Sequence, residues 1–202
     1  MTLHLGVLVS GNGSNLQAII DTIEAGKLNA QIVAVISDNE QAFALKRAER
    51  HQIFHETVLR KDFKDKAAFE KKILETLKRQ GAEWIVLAGF MRLISPDFLN
   101  EYPQRVINIH PALLPAFPGL EAIRQAFEAK AKITGCTVHL VDEGCDTGPI
   151  IAQRSVEVDP ADTLESLTQK VHREEHRLYP EVLQWIAEGR LKVEGRKVIV
   201  AK

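Results

Sequence analysis

The feature that most constrains the fold is a regular alternation of short apolar runs and amphipathic segments over the first two thirds of the chain. Leu5 to Val9 is an apolar run that ends in a Gly/Asn/Ser turn, which is typical of a buried strand. The next segment places Leu16, Ile19, Ile20 and Ile23 on one face of a helix. Continuous apolar strands separated by helices predict an α/β fold with a doubly wound, mostly parallel sheet.

The same patterns continue along the chain and change after Leu120. The further predicted strands are Ile32–Ile36, Phe54–Leu59, Trp84–Ala88, Val106–Ile109, Thr134–Val141 and Ile150–Val158. The further predicted helices lie around Ala42–Arg50, Phe69–Leu77, from Ser95-Pro96, and from Leu120 to about Ala129. Asp162 to Glu165 resembles a capping box that opens a long helix to about Glu188, with a kink at Pro180. The apolar pattern from Leu191 to Val200 predicts a small hairpin.

Composition limits the partners of the chain. Its 202 residues suit one domain, and a net charge of -1 gives no overall field for binding nucleic acid or an anionic membrane. The two cysteines, Cys136 and Cys145, form no disulfide framework, and the first residues have neither the basic start nor the apolar length of a signal peptide. We therefore expect a cytoplasmic protein with small-molecule substrates and no nucleic-acid or membrane partner. We also expect a monomeric or weakly homodimeric state.

A glycine-rich loop connects the first strand to the first helix. Its glycines allow a sharp turn and close approach to a ligand, and the following helix presents free N–H groups with a positive dipole end. The pattern predicts an anion site that needs no Lys or Arg, formed by Gly11, Asn12, Gly13, Ser14 and Asn15. The alternatives are a plain strand-to-helix turn and a dinucleotide-binding fingerprint, although Leu16 stands where that fingerprint has its third glycine.

Two polar side chains end the fifth predicted core strand. Asn108 and His110 are two residues apart, so they project from the same strand face, and Pro111 stops the strand after them. A second polar loop, from Asp142 to Pro149, offers carboxylates that can orient the imidazole. An amide, an imidazole and a carboxylate at one sheet edge suit acyl transfer, because they can stabilise an oxyanion and move a proton. Equally, Asn108 and His110 could simply satisfy backbone groups at the strand end.

A possible zinc motif lies on the long C-terminal helix. His172 and His176 bracket an HxxEH pattern on one helical face. No third ligand follows at a telling spacing, and a metal site here would leave the Gly11 loop without a role. We interpret the segment as a polar helix turn and expect no metal.

Six motifs, taken together, resemble a known family over nearly the whole chain. They are SGNGSN at 10–15, LAGFMRLISP at 87–96, INIHPALLPAFPG at 107–119, TGCTVH at 134–139, DTGPI at 146–150 and EEHRLYP at 174–180. In this order they resemble the phosphoribosylglycinamide formyltransferases, enzymes of purine synthesis that use 10-formyltetrahydrofolate. The resemblance implies a Rossmann-like formyltransferase fold in a single domain, with a nucleotide-binding half at about 1–100 and a folate-binding and catalytic half at about 101–202.

The resemblance also implies roles for the matching positions. Asn108, His110 and Asp146 match the catalytic triad, and Gly11 to Asn15 would hold the substrate phosphate. Glu174 and Glu175 match a segment that contacts the glycinamide substrate. The positions that match the folate-binding segments are Met91, Arg92, Leu93, Ile94, Asn108, Asp142, Glu143, Gly144, Cys145 and Asp146. Where the family often has an arginine near the folate, this chain has Lys66, which keeps the charge but not the planar fork.

The implied reaction is attack of the glycinamide amine on the formyl carbon of 10-formyltetrahydrofolate, with no metal and no covalent enzyme intermediate. One alternative is a formyltetrahydrofolate hydrolase on the same scaffold, although the related hydrolase carries an extra domain before this one. A formyltransferase acting on methionyl-tRNA would need a further C-terminal domain and a basic surface. A nucleotide-binding regulatory module would keep the Gly11 loop but would not need Asn108, His110 and Asp146.

Overall fold

Strands and helices alternate along the chain as the apolar pattern predicts. The structure is a computed structural model that describes residues 2–201. The chain divides into two compact units, one up to Ile107 and one from Asn108 onward. The first unit contains β1 (Leu3–Val9), α1 (Ser14–Glu24), β2 (Ala30–Ser37), α2 (Phe43–Arg50), β3 (His55–Thr57), a 3₁₀ turn (Arg60–Asp62), α3 (Lys66–Arg79), β4 (Trp84–Leu87) and α4 (Pro96–Glu101).

The remaining elements follow in chain order. They are β5 (Val106–His110), α5 (Ala122–Glu128), β6 (Ile133–Leu140), β7 (Ile150–Glu157), α6 (Leu164–Ala187), β8 (Leu191–Glu194) and β9 (Lys197–Val200). The division between the two units falls within β5. Seven strands form one sheet in the order β3-β2-β1-β4-β5-β6-β7, and β8 and β9 form a separate hairpin. This confirms the predicted α/β class with a mostly parallel sheet.

In the first unit the strand order reverses beside β1. β1 pairs in parallel with β2 on one side and with β4 on the other. Because crossovers between parallel strands are right-handed, this order places α1 and α2 on one sheet face and α3 on the other. The carboxyl ends of β1 and β4 therefore flank a topological switch point, where ligands of open α/β sheets bind.

Apolar side chains of the helices and strands fill the core of each unit. In the first unit, Leu16 and Ile19 of α1 and Phe69, Ile73 and Leu77 of α3 are almost completely buried. In the second unit, Leu167 and Val171 of α6 pack with Ile123 and Val156. Fully burying one such side chain contributes about 1.5–3 kcal/mol, so these helix faces are fixed chiefly by packing.

Two local predictions need correction. The predicted strand Phe54–Leu59 is paired only over His55–Thr57, at the sheet edge, before the chain turns into the 3₁₀ helix. The capping box lies one residue later than predicted: Thr163 is the N-cap and Ser166 is its partner, not Asp162 and Glu165. Asp162 instead accepts hydrogen bonds from the Ser166 hydroxyl at 2.7 Å and the Lys170 ammonium at 2.6 Å.

Other predicted signals are confirmed. Ser95 caps α4, accepting from the Phe98 amide, with Pro96 at the start of the helix. α6 extends through Pro180 to Ala187, close to its predicted end at about Glu188, and the C-terminal hairpin forms as predicted. The kink expected at Pro180 stays a prediction.

Candidate active site

The glycine-rich loop follows β1 and leads directly into α1. Gly13 is the N-cap in a left-handed conformation, with φ of 74°, and a Cβ there would lie 2.6 Å from the Ala44 Cβ. The turn therefore requires glycine both for its backbone angle and for its approach to α2. The first turn of α1 has no side-chain cap and no acidic residue, which leaves its N–H groups available to an anion.

One side chain of the loop has an incomplete set of partners. The Asn15 side-chain oxygen is buried without a hydrogen-bond partner among the described residues. An amide side chain has both an acceptor oxygen and a donor nitrogen, so rotation about its last bond can turn either end toward a ligand. A buried polar atom without a partner is costly, and a bound substrate would relieve that cost.

Arg47 of α2 was not predicted and lies against the same loop. Its guanidinium donates to the Asn12 carbonyl oxygen at 2.9 Å and to the Asn12 side-chain oxygen at 3.0 Å. The third contact is to the Gln17 side chain, at 3.0 Å. The loop therefore has a cation beside it, although the sequence predicted a site without one. The 35 positions that separate Arg47 from Asn12 gave no local signal of this contact.

The segment after β4 lies beside the glycine loop within the first unit. The Ser10 amide donates to the Gly89 carbonyl oxygen, and the Met91 amide donates to the Ser10 hydroxyl oxygen, both at 3.0 Å. Met91 and Leu93 are 63% and 61% exposed, whereas Ile94 is buried. Two large apolar side chains left in solvent beside the switch point suit a flat aromatic ligand such as a pterin.

Arg92 and Lys66, both predicted to bind folate, have carboxylate partners in this structure. The Arg92 Nε lies 2.5 Å from Asp38 Oδ2, and the Asp38 side chain is only 7% exposed. The Lys66 ammonium lies 3.7 Å from Glu70 Oε1. Glu70 is buried and accepts from the Ser95 amide and hydroxyl, so Lys66 has a clear partner of its own at the start of α3.

In the second unit the structure brings together all three predicted catalytic side chains. His110 Nδ1 lies 3.3 Å from Asp146 Oδ2. The Asn108 amide nitrogen lies 3.5 Å from Asp146 Oδ1. The i, i+2 spacing on β5 places the amide and the imidazole side by side, and the loop after β6 brings the carboxylate to both.

His139 of β6 is a fourth member of this cluster that sequence reasoning missed. Its Nε2 lies 3.3 Å from the Asn108 amide nitrogen and 3.6 Å from Asp146 Oδ1. Its Nδ1 is 2.9 Å from the Leu140 carbonyl oxygen. The sequence feature that could have indicated this role is the position of His139 near the end of β6, the strand that neighbours β5 in the sheet.

The two ring nitrogens of His110 both face oxygen atoms. Its Nε2 lies 2.7 Å from the Phe117 carbonyl oxygen, and its Nδ1 faces the Asp146 carboxylate. The ring is buried, only 4% exposed, so these two contacts hold it in a fixed orientation.

The environment of Asp146 stabilises its charged form. Burial by itself raises the pKa of this carboxyl group. The hydrogen bond with His139, the Gly119 amide at 2.8 Å and the charge of His110 outweigh that effect, so the pKa falls from 3.8 to about 2. Asp146 also has a left-handed backbone, with φ of 55°. That conformation costs an L-residue roughly 1–2 kcal/mol, so the surrounding loop must hold it.

The loop that carries Asp146 is organised around a second carboxylate. Asp142 Oδ1 accepts from the Gly144 amide at 3.2 Å and from the Thr147 hydroxyl at 2.6 Å. Burial raises the Asp142 pKa, whereas these bonds and Arg196 lower it below its ordinary value. Glu143 and Cys145 are exposed, and burial and the nearby Asp146 charge raise the pKa of the Cys145 thiol.

The predicted substrate-contacting pair on α6 divides between two environments. Glu175 is 3% exposed and lies 2.6 Å from His172 Nδ1, and this bond raises the pKa of His172. Glu174 pairs instead with Arg154 at 3.4 Å and with Arg177 at 2.7 Å.

Two kinds of feature are absent from residues 2–201. These residues contain no group of three or more His, Cys, Asp or Glu side chains placed to hold a metal ion. None of the helices in that range combines the length and apolarity needed to cross a membrane.

Comparison with known proteins gives consistent matches. A family model described as formyl transferase matches residues 3–183. A phosphoribosylglycinamide formyltransferase of Bacillus subtilis is 47% identical over 178 residues, which cover 88% of this chain and 91% of that protein. The enzyme of the same name from Escherichia coli is 41% identical, over 95% of this chain and 90% of its own.

Solved structures give the same result for the fold. The glycinamide ribonucleotide transformylase 1 of Symbiobacterium toebii matches with a TM-score of 0.97 and 45% identity, covering 100% of this chain and 95% of that one. A formyltetrahydrofolate deformylase of Pseudomonas syringae shares the scaffold, with a TM-score of 0.93, but is only 28% identical and is covered over 67% of its length.

Proposed function

This chain belongs to the formyl transferase family and is an enzyme that uses a folate-derived formyl donor, and we propose that it moves the formyl group of 10-formyltetrahydrofolate to the amine of 5′-phosphoribosylglycinamide. The products are N-formyl-phosphoribosylglycinamide and tetrahydrofolate. This reaction belongs to de novo purine biosynthesis. The hydrolase is the less favoured alternative, because the relatives that match at 41–47% identity carry the transferase name.

The observation that carries the proposal is the cluster of Asn108, His110 and Asp146. When the amine attacks the formyl carbon, the carbonyl oxygen gains negative charge. The Asn108 amide and the protonated His110 are the donors that stabilise this oxyanion. We place the oxyanion where the Phe117 carbonyl oxygen now accepts from His110 Nε2, so the substrate takes the place of that contact.

Asp146 orients His110 and is the counter-ion of the charged ring in this mechanism. Its ionised carboxylate lies 3.3 Å from Nδ1, on the side of the ring away from the Nε2 that donates to the oxyanion. The attacking amine loses a proton and the leaving folate nitrogen gains one, and we route this proton through water. The route uses neither a metal ion nor a covalent enzyme intermediate.

The remaining residues have binding roles in this proposal. Gly11, Asn12, Gly13, Ser14 and Asn15 hold the phosphate, supported by the uncapped start of α1 and by the unpartnered Asn15 oxygen. Glu174 and Glu175 contact the glycinamide substrate. The folate is bound by Met91, Arg92, Leu93, Ile94, Lys66 and the loop of Asp142, Glu143, Gly144, Cys145 and Asp146.

We assign the nucleotide mainly to the half of the chain at about 1–100, and the folate and the chemistry mainly to the half at about 101–202. We further propose that the protein acts as a monomer or weak homodimer.

The direct test is an absorbance assay with the purified protein. 10-Formyltetrahydrofolate is incubated with no amine, with glycinamide, or with phosphoribosylglycinamide, and the release of tetrahydrofolate is followed. We expect release only with the phosphorylated substrate. Equal release without any amine would establish hydrolysis instead, and equal rates with unphosphorylated glycinamide would remove the phosphate role of the Gly11 loop.

A further inference from the structure

The C-terminal hairpin contacts the loop that carries Asp146. The matching family model ends at residue 183, so β8, β9 and their turn lie beyond it, and none of the roles proposed above uses them. The turn between the two strands presents Arg196 toward residues 142–148, which we call the Asp142 loop. This contact lies entirely within the second unit.

Arg196 holds the Asp142 loop at two points. Its Nη1 lies 3.2 Å from Asp142 Oδ2, and its Nη2 donates to the Thr147 carbonyl oxygen. These two partners stand on either side of Asp146 in the sequence. A guanidinium offers several donors in a fixed plane, so it can fix the distance between two acceptors in a way that a single ammonium cannot.

The Asp142 loop has little internal tolerance for a change of shape. A Cβ at Gly144 would overlap the Thr147 hydroxyl oxygen, and a Cβ at Gly148 would overlap the Leu140 carbonyl oxygen. Asp146 itself has the left-handed backbone described above. A carboxylate in a sparsely populated conformation stays in place only when its surroundings determine its position strongly.

One side of the loop borders open volume. A cavity of about 710 Å³ is lined by Asp146 and Thr147 of the loop and by Arg196 and Lys197 of the hairpin. Packed side chains do not fill this side, so polar contacts across the gap have to supply the constraint there. Arg196 makes such contacts from the far wall.

We propose that Arg196 is a positioning residue for formyl transfer: by bridging Asp142 and the Thr147 carbonyl it fixes the Asp142 loop and so aims the Asp146 carboxylate at His110. This inference rests on the proposed function of Asp146. The Arg196 side chain is 70% exposed, so its ion pair contributes little to global stability. Its effect falls on the geometry of the loop.

The test compares Arg196→Ala with the wild-type protein. We expect kcat to fall by about 10-fold, less than the 10²-fold that a displacement of about 1 Å can cost. The KM for phosphoribosylglycinamide and the melting temperature stay unchanged. In the protein without substrates, hydrogen exchange at the amides of residues 142–148 becomes faster. Arg196→Lys, which keeps the charge but not the planar fork, recovers only part of the kcat.

Lys192→Ala is the matched control, because Lys192 lies on the same hairpin and its ammonium pairs with Glu194 at 2.7 Å. It should leave both kcat and loop exchange at wild-type values. The inference would be overturned if Arg196→Ala left both loop exchange and kcat unchanged. It would also be overturned if Lys192→Ala changed them as much as Arg196→Ala does. Absence of formyl transfer in the wild-type protein would instead refute the proposed function. Hydrogen exchange of the loop needs no substrate, so it would still show whether Arg196 fixes the loop.

Discussion

At the scale of single residues, Asp146 is the side chain on which the proposed chemistry depends most. Asp146→Asn keeps its shape but removes its charge, so the imidazolium of His110 loses its counter-ion. We expect kcat to fall by at least about 10²-fold, as on loss of an oxyanion donor, because the ring then loses the carboxylate that orients it toward the oxyanion. The KM for the nucleotide should change little. Steady-state kinetics at pH 7 measure both constants.

The double variant Asp146→Asn/His110→Ala distinguishes one catalytic unit from two independent contributions. Residues that act as a unit show strongly non-additive losses. The double variant should therefore be no slower than the slower single variant. Losses that multiply would show that Asp146 acts on the reaction without His110.

The lowered pKa of Asp146 also predicts how stability responds to acid. Because the pKa is about 2 in the folded protein, below the ordinary 3.8, the ionised carboxylate stabilises the fold above about pH 4 and loses this effect as the pH falls through about 2. At pH 7 the wild-type protein should have a higher free energy of unfolding than Asp146→Asn. This difference should become smaller by roughly 1–2 kcal/mol as the pH is lowered to 2.

Urea denaturation at several pH values measures this difference. Glu157→Gln is a suitable control, since Glu157 is an exposed carboxylate at the end of β7. A difference between the wild-type protein and Asp146→Asn that stays constant from pH 7 to pH 2 would contradict the expectation.

At the scale of secondary-structure elements, helix α2 supports the proposed phosphate loop through Arg47. Removing its guanidinium in Arg47→Ala frees Asn12 and takes a positive charge from the loop. We expect the KM for phosphoribosylglycinamide to rise by about 10-fold, the equivalent of one charged hydrogen bond, while the KM for the folate donor is unchanged.

Arg50→Ala is the matched control, because Arg50 lies on the same helix and its guanidinium stacks 5.6 Å from the Phe43 ring. It should behave like the wild-type protein. If Arg47→Ala had a normal KM for the nucleotide, or if the KM values of both substrates changed equally, Arg47 would have no specific role in phosphate binding.

The elements that sequence reasoning predicted well are those with strong periodicity. The apolar faces of α1 and α3 and the buried strands β1 and β2 follow from hydrophobic patterns alone. The capping box of α6 was misplaced by one residue because Asp162 and Thr163 are both good cap residues. Only the hydrogen bonds of Ser166 decide between them.

The candidate site was predictable where local geometry determines it. Asn108 and His110 share a strand face because side chains alternate along a strand. His139 and Arg47 could not be found in this way, since their partners are 31 and 35 positions away. Such contacts depend on sheet order and helix packing, and no local pattern encodes them. The link between Arg196 and Asp142, 54 positions apart, belongs to the same class.

At the scale of the whole molecule, one chain must bind two small substrates and direct the formyl group to an amine rather than to water. The first unit supplies the proposed phosphate loop and the apolar Met91 and Leu93. The second supplies the proposed catalytic cluster and the Asp142 loop. Formyl transfer and hydrolysis can use the same imidazolium and carboxylate, so the fate of the formyl group separates the two activities.

The most direct measurement follows an isotopic label from donor to product. Enzyme, phosphoribosylglycinamide and 10-formyltetrahydrofolate carrying ¹³C in its formyl group are mixed under single-turnover conditions, and the products are identified by mass spectrometry. The proposed function predicts that the label appears on the glycinamide nitrogen of the nucleotide, in step with tetrahydrofolate release, and that Asp146→Asn slows both together. Label recovered as formate, with the nucleotide unmodified, would contradict it.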